Sequence, residues 1–452
     1  MSDLSKIVKA YDIRGVVPDE LDENVSRAVG AAFVRFTEAD EIVTAHDMRT
    51  SSGPLAAAFA EGASSQGADV VEAGLASTDT LYFAAGYLDV PGAMFTASHN
   101  PARYNGIKLC RSGAAPVGQD SGLADIRVLA ETYLAEGLPA YDGKPGTVTS
   151  RDLLTEYADY LKKLVDLSGI RRLAVVVDAG NGMGGHTVPT VFTGLPVDLT
   201  PLYFELDGTF PNHEANPIDP ANLRDLQAKV REIGADIGLA FDGDADRCFV
   251  VDERGEVVSP SVLTALIATR ELAREPGATI LYNLIVSHAV PEIVRENGGA
   301  PERTRVGHSF IKARMAQTGA IFGGEHSGHF YFRDFWRADS GMLAALHVLA
   351  ALGEQPEPLS ALLSAYSRYA DSGEINSTVA DAPAKLAELA QAYGDQPGVT
   401  LDHLDGLTVQ GEGWWFNVRP SNTEPLLRLN VEAADSAAMT RVRDEVLARI
   451  RG

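Results

Sequence analysis

The sequence is short of several things, and each shortage removes a class of protein. Only two of its 452 residues are cysteine, Cys110 and Cys248, far apart and without CxxC spacing. That argues against a disulfide framework and against a zinc site. Positive charge is scarce: 38 Lys and Arg face 62 Asp and Glu, for a net charge of −24. Such a balance argues against non-specific nucleic-acid binding, yet a local basic cleft for an anionic substrate can sit within an acidic surface. Long apolar runs are missing. The strongest, such as 343–352, is too short to span a bilayer and is interrupted by His347. The opening segment MSDLSKIVKAYDIRG has no apolar signal core. The expectation is a cytoplasmic protein with no membrane partner. No GxxxxGK[ST] occurs, so no P-loop is present.

Apolar residues make up 45% and charged residues 22%, enough for well-packed cores. At roughly 100–200 residues per domain, three or four domains are expected. Short β-like runs alternate with Ala/Leu-rich helical segments almost to the end, the pattern of an α/β protein with parallel or mixed sheets. Strands are expected at 41–45, 69–72, 92–96, 173–178, 237–241, 279–283, 414–419 and 426–432. Helices are expected at 54–66, 78–85, 152–167, 339–352, 384–393 and from 437. A polar Gly/Pro-containing stretch, 136–150, reads as a linker. The domains are expected at 1–145, 146–252, 253–368 and 369–452. No fixed-period repeat is visible in the sequence.

Four short constellations carry chemistry. Thr96-Ala97-Ser98-His99-Asn100-Pro101, followed by Asn105-Gly106-Ile107-Lys108, delivers a small hydroxyl from a strand into a loop. Pro101 restricts Asn100 to extended backbone, and Gly106 is read as permitting a sharp turn. Asp242-Gly243-Asp244-Ala245-Asp246-Arg247 lies between the apolar runs IGLAF and CFVVD. Its alternate carboxylates can converge on one hard cation, and Mg²⁺ demands oxygen ligands. An EF-hand is the rival, with Glu253 at loop position twelve, but Arg247 stands where glycine is needed and strands flank the loop. The third is Gly323-Gly324-Glu325-His326-Ser327-Gly328-His329, whose glutamate and serine can bond vicinal sugar hydroxyls. The fourth, Arg419-Pro420-Ser421-Asn422-Thr423-Glu424-Pro425, offers a guanidinium, hydroxyls and a carboxamide to phosphate oxygens. Each has a bland reading as a polar turn or a helix cap. All four in this order, one per expected domain, are far more specific.

Together with Tyr11-Asp12-Ile13-Arg14-Gly15, these motifs resemble the α-D-phosphohexomutase family, in its phosphomannomutase/phosphoglucomutase branch, over nearly the whole chain. The resemblance implies four domains around a central cleft: three related α/β mixed-sheet units and a smaller α+β C-terminal domain. It implies that Ser98 carries a phosphoryl group. It implies Mg²⁺ held by Asp242, Asp244, Asp246 and the Ser98 phosphate. Lys108, Arg14 and Arg247 would line the reaction centre, with His308 and Lys108 as candidates for general acid/base work. Tyr11, Glu325, Ser327 and His329 would contact substrate, with His99 also in the cleft. Arg419, Ser421, Asn422 and Thr423 would hold the phosphate that is not reacting. The implied reaction interconverts mannose 6-phosphate and mannose 1-phosphate, with glucose phosphates as a further pair, through a hexose 1,6-bisphosphate that is also the activator.

The phosphoglucosamine branch usually has glutamine where His326 stands, but discrimination between glucose and mannose at C2 is open. Partners are small hexose phosphates, and the chain is expected to be a monomer or a homodimer. Two rivals come from other classes: a metal-dependent phosphatase with an aspartyl nucleophile, and a non-catalytic sugar-phosphate-binding protein.

Overall fold

The computed structural model describes residues 3–420 and 426–452. Four sheets follow one another along the chain. The first contains β1 (Ile13–Val16), β2 (Glu41–His46), β3 (Asp69–Leu75), β4 (Gly92–Phe95), β5 (Tyr104–Arg111), the short β6 (Ala115–Pro116) and β7 (Val148–Ser150). Its order is β1-β5-β4-β2-β3-β7, with β6 on β5. The second contains β8 (Leu173–Asp178), β9 (Val197–Leu202), β10 (Ile237–Phe241), β11 (Cys248–Asp252) and β12 (Val257–Val258), in the order β12-β11-β10-β8-β9. The third contains β13 (Thr279–Asn283), β14 (Ala300–Thr304), β15 (Phe322–Gly324), β16 (Phe330–Phe332) and β17 (Ala338–Asp339), in the order β14-β13-β15-β16-β17.

One plan underlies all three. A first strand (β2, β8 or β13) passes through a helix to a parallel neighbour on one side. The chain then returns through a second helix to a parallel strand on the first strand's other side, and that strand turns back into an antiparallel partner. The sequence dictates such strands: LAVVVD in β8 and IGLAF in β10 are near-continuous apolar runs, as strands covered on both faces must be. Reversal of strand order leaves a crevice at the carboxyl ends, where ligands bind in open α/β sheets. The loops carrying Ser98, the three aspartates and Glu325 all lie at this point of their own sheets. The repeat absent from the sequence is therefore present in the topology.

The fourth sheet is wholly antiparallel: β18 (Ala370–Thr378), β19 (Thr400–Asp402), β20 (Leu407–Gly411), β21 (Trp414–Pro420) and β22 (Leu426–Ala433), ordered β18-β22-β21-β20-β19. Helices Ala382–Gly394 and Ser436–Arg451 pack on it. One hydrophobic core runs without a break through the first three units, from Val43 through Phe83, Tyr157 and Phe241 to Leu346. The fourth unit has its own core, built on Leu389, Phe416 and Val446. Its contacts with the third include Glu432 with the His288 backbone N–H, Asp405 with that of Val306, and the Trp415 ring stacked on His288.

Three expectations change. The stretch 136–150 is not wholly a linker, because Val148–Ser150 pairs in parallel with β3 and extends the first sheet. The helix expected at 152–167 runs from Leu154 to Leu164. Gly106 makes no turn. It sits inside β5, opposite Arg14, where a Cβ would lie 2.5 Å from the Ile13 carbonyl oxygen and 2.8 Å from that of Thr96. Close strand approach is what requires glycine there.

Candidate active site

The Ser98 loop leaves β4 at Phe95 and returns as β5. The Thr96 hydroxyl accepts the Ser98 N–H at 2.9 Å, and Ser98 adopts a left-handed backbone with φ of 51°. Its Oγ donates to Asp242 Oδ2 at 2.9 Å, so the hydroxyl of the first unit faces the acidic loop of the second. Ser98 Oγ also stands 3.1 Å from Nδ1 of His99. Burial, with Arg247 and Arg14 adding to it, holds the His99 imidazole well below its ordinary pKa. The ring is neutral at pH 7, and its Nδ1 accepts from Arg247 Nη2 at 2.6 Å.

Asp242, Asp244 and Asp246 are all buried, and one carboxylate oxygen from each lies within 4.8 Å of the others. Burial, opposed by Arg247 and reinforced by Asp246 and Asp244, pushes Asp242 up to about 7. Asp244 goes the other way. Burial raises it, but Lys108 and the Thr78 hydroxyl prevail and hold it far below the carboxylate range. Lys108 Nζ donates to Asp244 Oδ2 and Asp246 Oδ2, both at 2.7 Å. Burial draws its ammonium down, while those two carboxylates more than offset this and leave it well above its ordinary pKa. Two buried oxygens, Asp244 Oδ1 and Asp246 Oδ1, accept no hydrogen bond among the described residues. Three buried carboxylates that converge, two of them with an oxygen lacking a donor, suit a small divalent cation. The EF-hand reading fails, since β10 and β11 flank the loop and Glu253 instead accepts from Ser360 N at 3.0 Å.

Arg247 is fully buried, donating through Nε to Asp242 at 2.8 Å. Arg14 Nη1 donates to the Asn100 carboxamide at 2.7 Å, tying β1 to the Ser98 loop. In the third unit, Glu325 Oε1 accepts from Asn283 at 3.1 Å and from the Gly307 N–H at 3.0 Å, and Oε2 accepts from Tyr331 at 2.6 Å. Ser327 Oγ lies 2.9 Å from Nδ1 of His329, whose Nε2 is 3.7 Å from Asp246. Tyr11 meets Phe310 edge to face with 6.4 Å between ring centroids. Arg419, in β21, donates to Glu374 at 2.6 Å. The side chain of His308, together with Ser421, Asn422 and Thr423, lies outside the described residues.

Several participants escaped the sequence reading. Arg49 and Asp47 follow β2, the strand beside β4, and reach into the Ser98 loop. Thr78 donates its hydroxyl to Asp244 at 2.6 Å. Lys312, within the VGHSFIK segment, pairs with Asp339 at 2.6 Å and lies 4.0 Å over the Tyr82 ring. Their shared signal is position alone: Asp47 and Arg49 lie just past the end of β2, Thr78 opens helix Thr78–Leu88, and Lys312 lies early in helix His308–Thr318.

All four domains of one family match, in order: "Phosphoglucomutase/phosphomannomutase, alpha/beta/alpha domain I" over residues 5–133, domain II over 155–255, domain III over 259–369 and the C-terminal domain over 374–449. Fold, cleft and matches together define an enzyme of the α-D-phosphohexomutase class. Within it, the chain belongs to the phosphoglucomutase/phosphomannomutase family. It is 40% identical to a phosphomannomutase of Escherichia coli, with 98% of each chain covered. It is 41% identical to "Phosphohexose mutases" of Xanthomonas campestris pv. campestris, again with 98% of each covered. A solved family member from Burkholderia thailandensis superposes with a TM-score of 0.88 at 33% identity, over 98% of this chain and 97% of that one. No helix among the described residues is long and apolar enough to cross a membrane.

Proposed function

We propose that the enzyme interconverts mannose 6-phosphate and mannose 1-phosphate, and accepts glucose phosphates as a second pair, with Ser98 as the phosphoryl carrier. The observation that carries this reading is Ser98 Oγ at 2.9 Å from Asp242, beside two carboxylate oxygens that lack donors. Action on more than one hexose is in keeping with the Xanthomonas relative, "Phosphohexose mutases".

Phosphoryl transfer needs positioning and neutralisation of charge more than covalent chemistry from the protein. Asp242, Asp244 and Asp246 would hold Mg²⁺, which supplies charge compensation at the phosphoryl oxygens. A free hydroxyl of the hexose monophosphate attacks the phosphorus on Ser98. The Oγ–P bond breaks as the new O–P bond forms, the attacking hydroxyl gives up its proton, and the product is a hexose 1,6-bisphosphate. After that intermediate turns round, Ser98 Oγ takes its other phosphoryl group and the alternative monophosphate departs. Lys108, held protonated by Asp244 and Asp246, is suited to give a proton rather than take one, and His308 is assigned the opposite role. Arg14 and Arg247 add fixed positive charge. Glu325 and Ser327 read sugar hydroxyls, with Tyr11 and His329 at the edge of that subsite. Arg419, Ser421, Asn422 and Thr423 hold the distal phosphate.

The test is mannose 1-phosphate with Mg²⁺ and a trace of bisphosphate, followed by ³¹P NMR, with glucose and glucosamine phosphates alongside. Mannose 6-phosphate should accumulate, and chelator should stop it. Release of inorganic phosphate identifies a phosphatase, no change identifies a binder, and either outcome refutes the proposal.

A further inference from the structure

Arg49 belongs to none of the four motifs, yet it is the most completely bonded arginine beside the cleft. It is 3% exposed, and each of its five side-chain N–H groups has a partner. Nε donates to Asp47 Oδ2 at 3.2 Å. Nη1 donates to the carbonyls of Pro101 and Tyr104, both at 3.0 Å. Nη2 donates to the carbonyls of Ser98 at 2.8 Å and Asn100 at 2.7 Å. An arginine has five such donors and no more, so Arg49 has none left for a substrate oxygen. Asp47 is itself fixed, accepting the Arg49 N–H at 2.9 Å and the Ser52 hydroxyl at 2.5 Å. The far side of the guanidinium lies 5.1 Å over the Phe210 ring of the second unit.

We propose that Arg49 is a positioning residue for phosphoryl transfer: one guanidinium gathers four carbonyl oxygens of the Ser98 loop and thereby sets the backbone that aims Ser98 Oγ. The inference rests on the reading of Ser98 as carrier. Ser98 occupies a left-handed conformation that a residue with a Cβ seldom adopts, so something must over-determine it. The Thr96 hydroxyl fixes its N–H and Arg49 fixes its carbonyl, leaving the hydroxyl to face Asp242. The arrangement needs a planar fork. Lysine would bring the charge, but its three donors radiate from one atom and cannot meet four carbonyls and a carboxylate. Four carbonyl dipoles held on a cation are also four that do not compete for the charges meant for phosphate.

The experiment compares R49K and R49A with wild type in three readouts: steady-state kinetics in both directions, melting temperature, and the rate at which Ser98 becomes phosphorylated from hexose 1,6-bisphosphate, followed by intact-protein mass. For R49K the expected result is a kcat about ten- to a hundredfold lower with KM little changed, and a matching fall in the phosphorylation rate. In R49A, guanidinium ion at low millimolar concentration should restore part of the turnover, whereas in R49K it should not. R49K with wild-type phosphorylation and kcat overturns the proposal. So does a loss confined to KM, a loss that tracks the melting temperature without guanidinium rescue, or an R49K protein that does not fold. If wild type itself takes no phosphoryl group on Ser98, the carrier reading fails instead, which the mass measurement separates from failure at Arg49.

Discussion

Removing the Ser98 hydroxyl takes one donor from Asp242 and leaves the loop backbone, held by Thr96 and Arg49, unchanged. Ser98→Ala should therefore abolish nearly all turnover while the melting temperature stays within a degree or two of wild type, as is usual for a change that removes no packing. Near-normal activity with bisphosphate supplied would show that another residue carries the group. Arg419 is different, because the cation already has an anion: Glu374 accepts from it at 2.6 Å and also lies 3.6 Å from Arg428. A substrate phosphate has to share or displace that carboxylate. Arg419→Ala should lower kcat/KM for mannose 1-phosphate and mannose 6-phosphate alike, by about 1.5–3 kcal/mol, the usual value of a hydrogen bond to a charged group. Lysine should restore only part. Kinetics in both directions beside a melting curve distinguish this from a packing role, in which stability would fall with activity. At this scale the sequence exposed the residues whose chemistry is unusual, such as a serine in TASHNP or three alternating aspartates. It hid Arg49, Thr78 and Lys312, because an arginine past a strand end, or a threonine or lysine early in a helix, looks like any other until its partners, from 27 to 166 residues away, are known.

Two loops from different units have to meet for the chemistry to occur, and the closeness of their meeting is measured by Gly243. A Cβ at that position would lie 2.3 Å from the Ser98 carbonyl oxygen, and backbone cannot yield as a side-chain tip does. Gly243→Ala should push the acidic loop away from Ser98. A displacement of about 1 Å at reacting groups costs about a hundredfold in rate. The expected outcome is a comparable drop in kcat and weaker Mg²⁺ binding by calorimetry, with far-UV circular dichroism unchanged. Full activity would mean that the loops do not approach this closely in the working enzyme. Strands with uninterrupted apolar runs were legible to the residue: 173–178, 237–241 and 279–283 form as expected. β5 was not, because YNGIKLCR carries turn residues at its start, and only pairing with β1 and β4 makes it a strand. β7 was missed for the same reason, being three exposed residues whose place is set by β3.

Across the whole molecule, the first three units are joined at one buried carboxylate. Asp79, in the first turn of helix Thr78–Leu88, accepts from Tyr157 of the second unit at 2.7 Å and from Ser340 of the third at 2.6 Å. Ser77 of its own unit donates as well. Burial outweighs these three donors and raises Asp79 from 3.8 to about 6. Between those values the native protein keeps a proton that the unfolded chain has released, so stability falls as pH rises through the interval, by up to about 3 kcal/mol. Asp79→Asn cannot ionise and should lack this fall. The melting temperature of the variant, compared with wild type from pH 4 to pH 7, should therefore gain on it as pH rises; parallel curves would show that Asp79 does not titrate at the joint. The joint was not readable in advance, since Ser77, Asp79, Tyr157 and Ser340 share no motif and meet only when the units pack. It matters because the loops that carry Ser98, the three aspartates and Glu325 are each tethered at both ends to strands of their own sheet. Such loops have little play of their own, so their misalignment is the sum of the tilts between units, magnified by the distance from joint to cleft. The enzyme is in this respect an optical bench: its working parts are mounted on rigid blocks, and its focus is adjusted at the bolts.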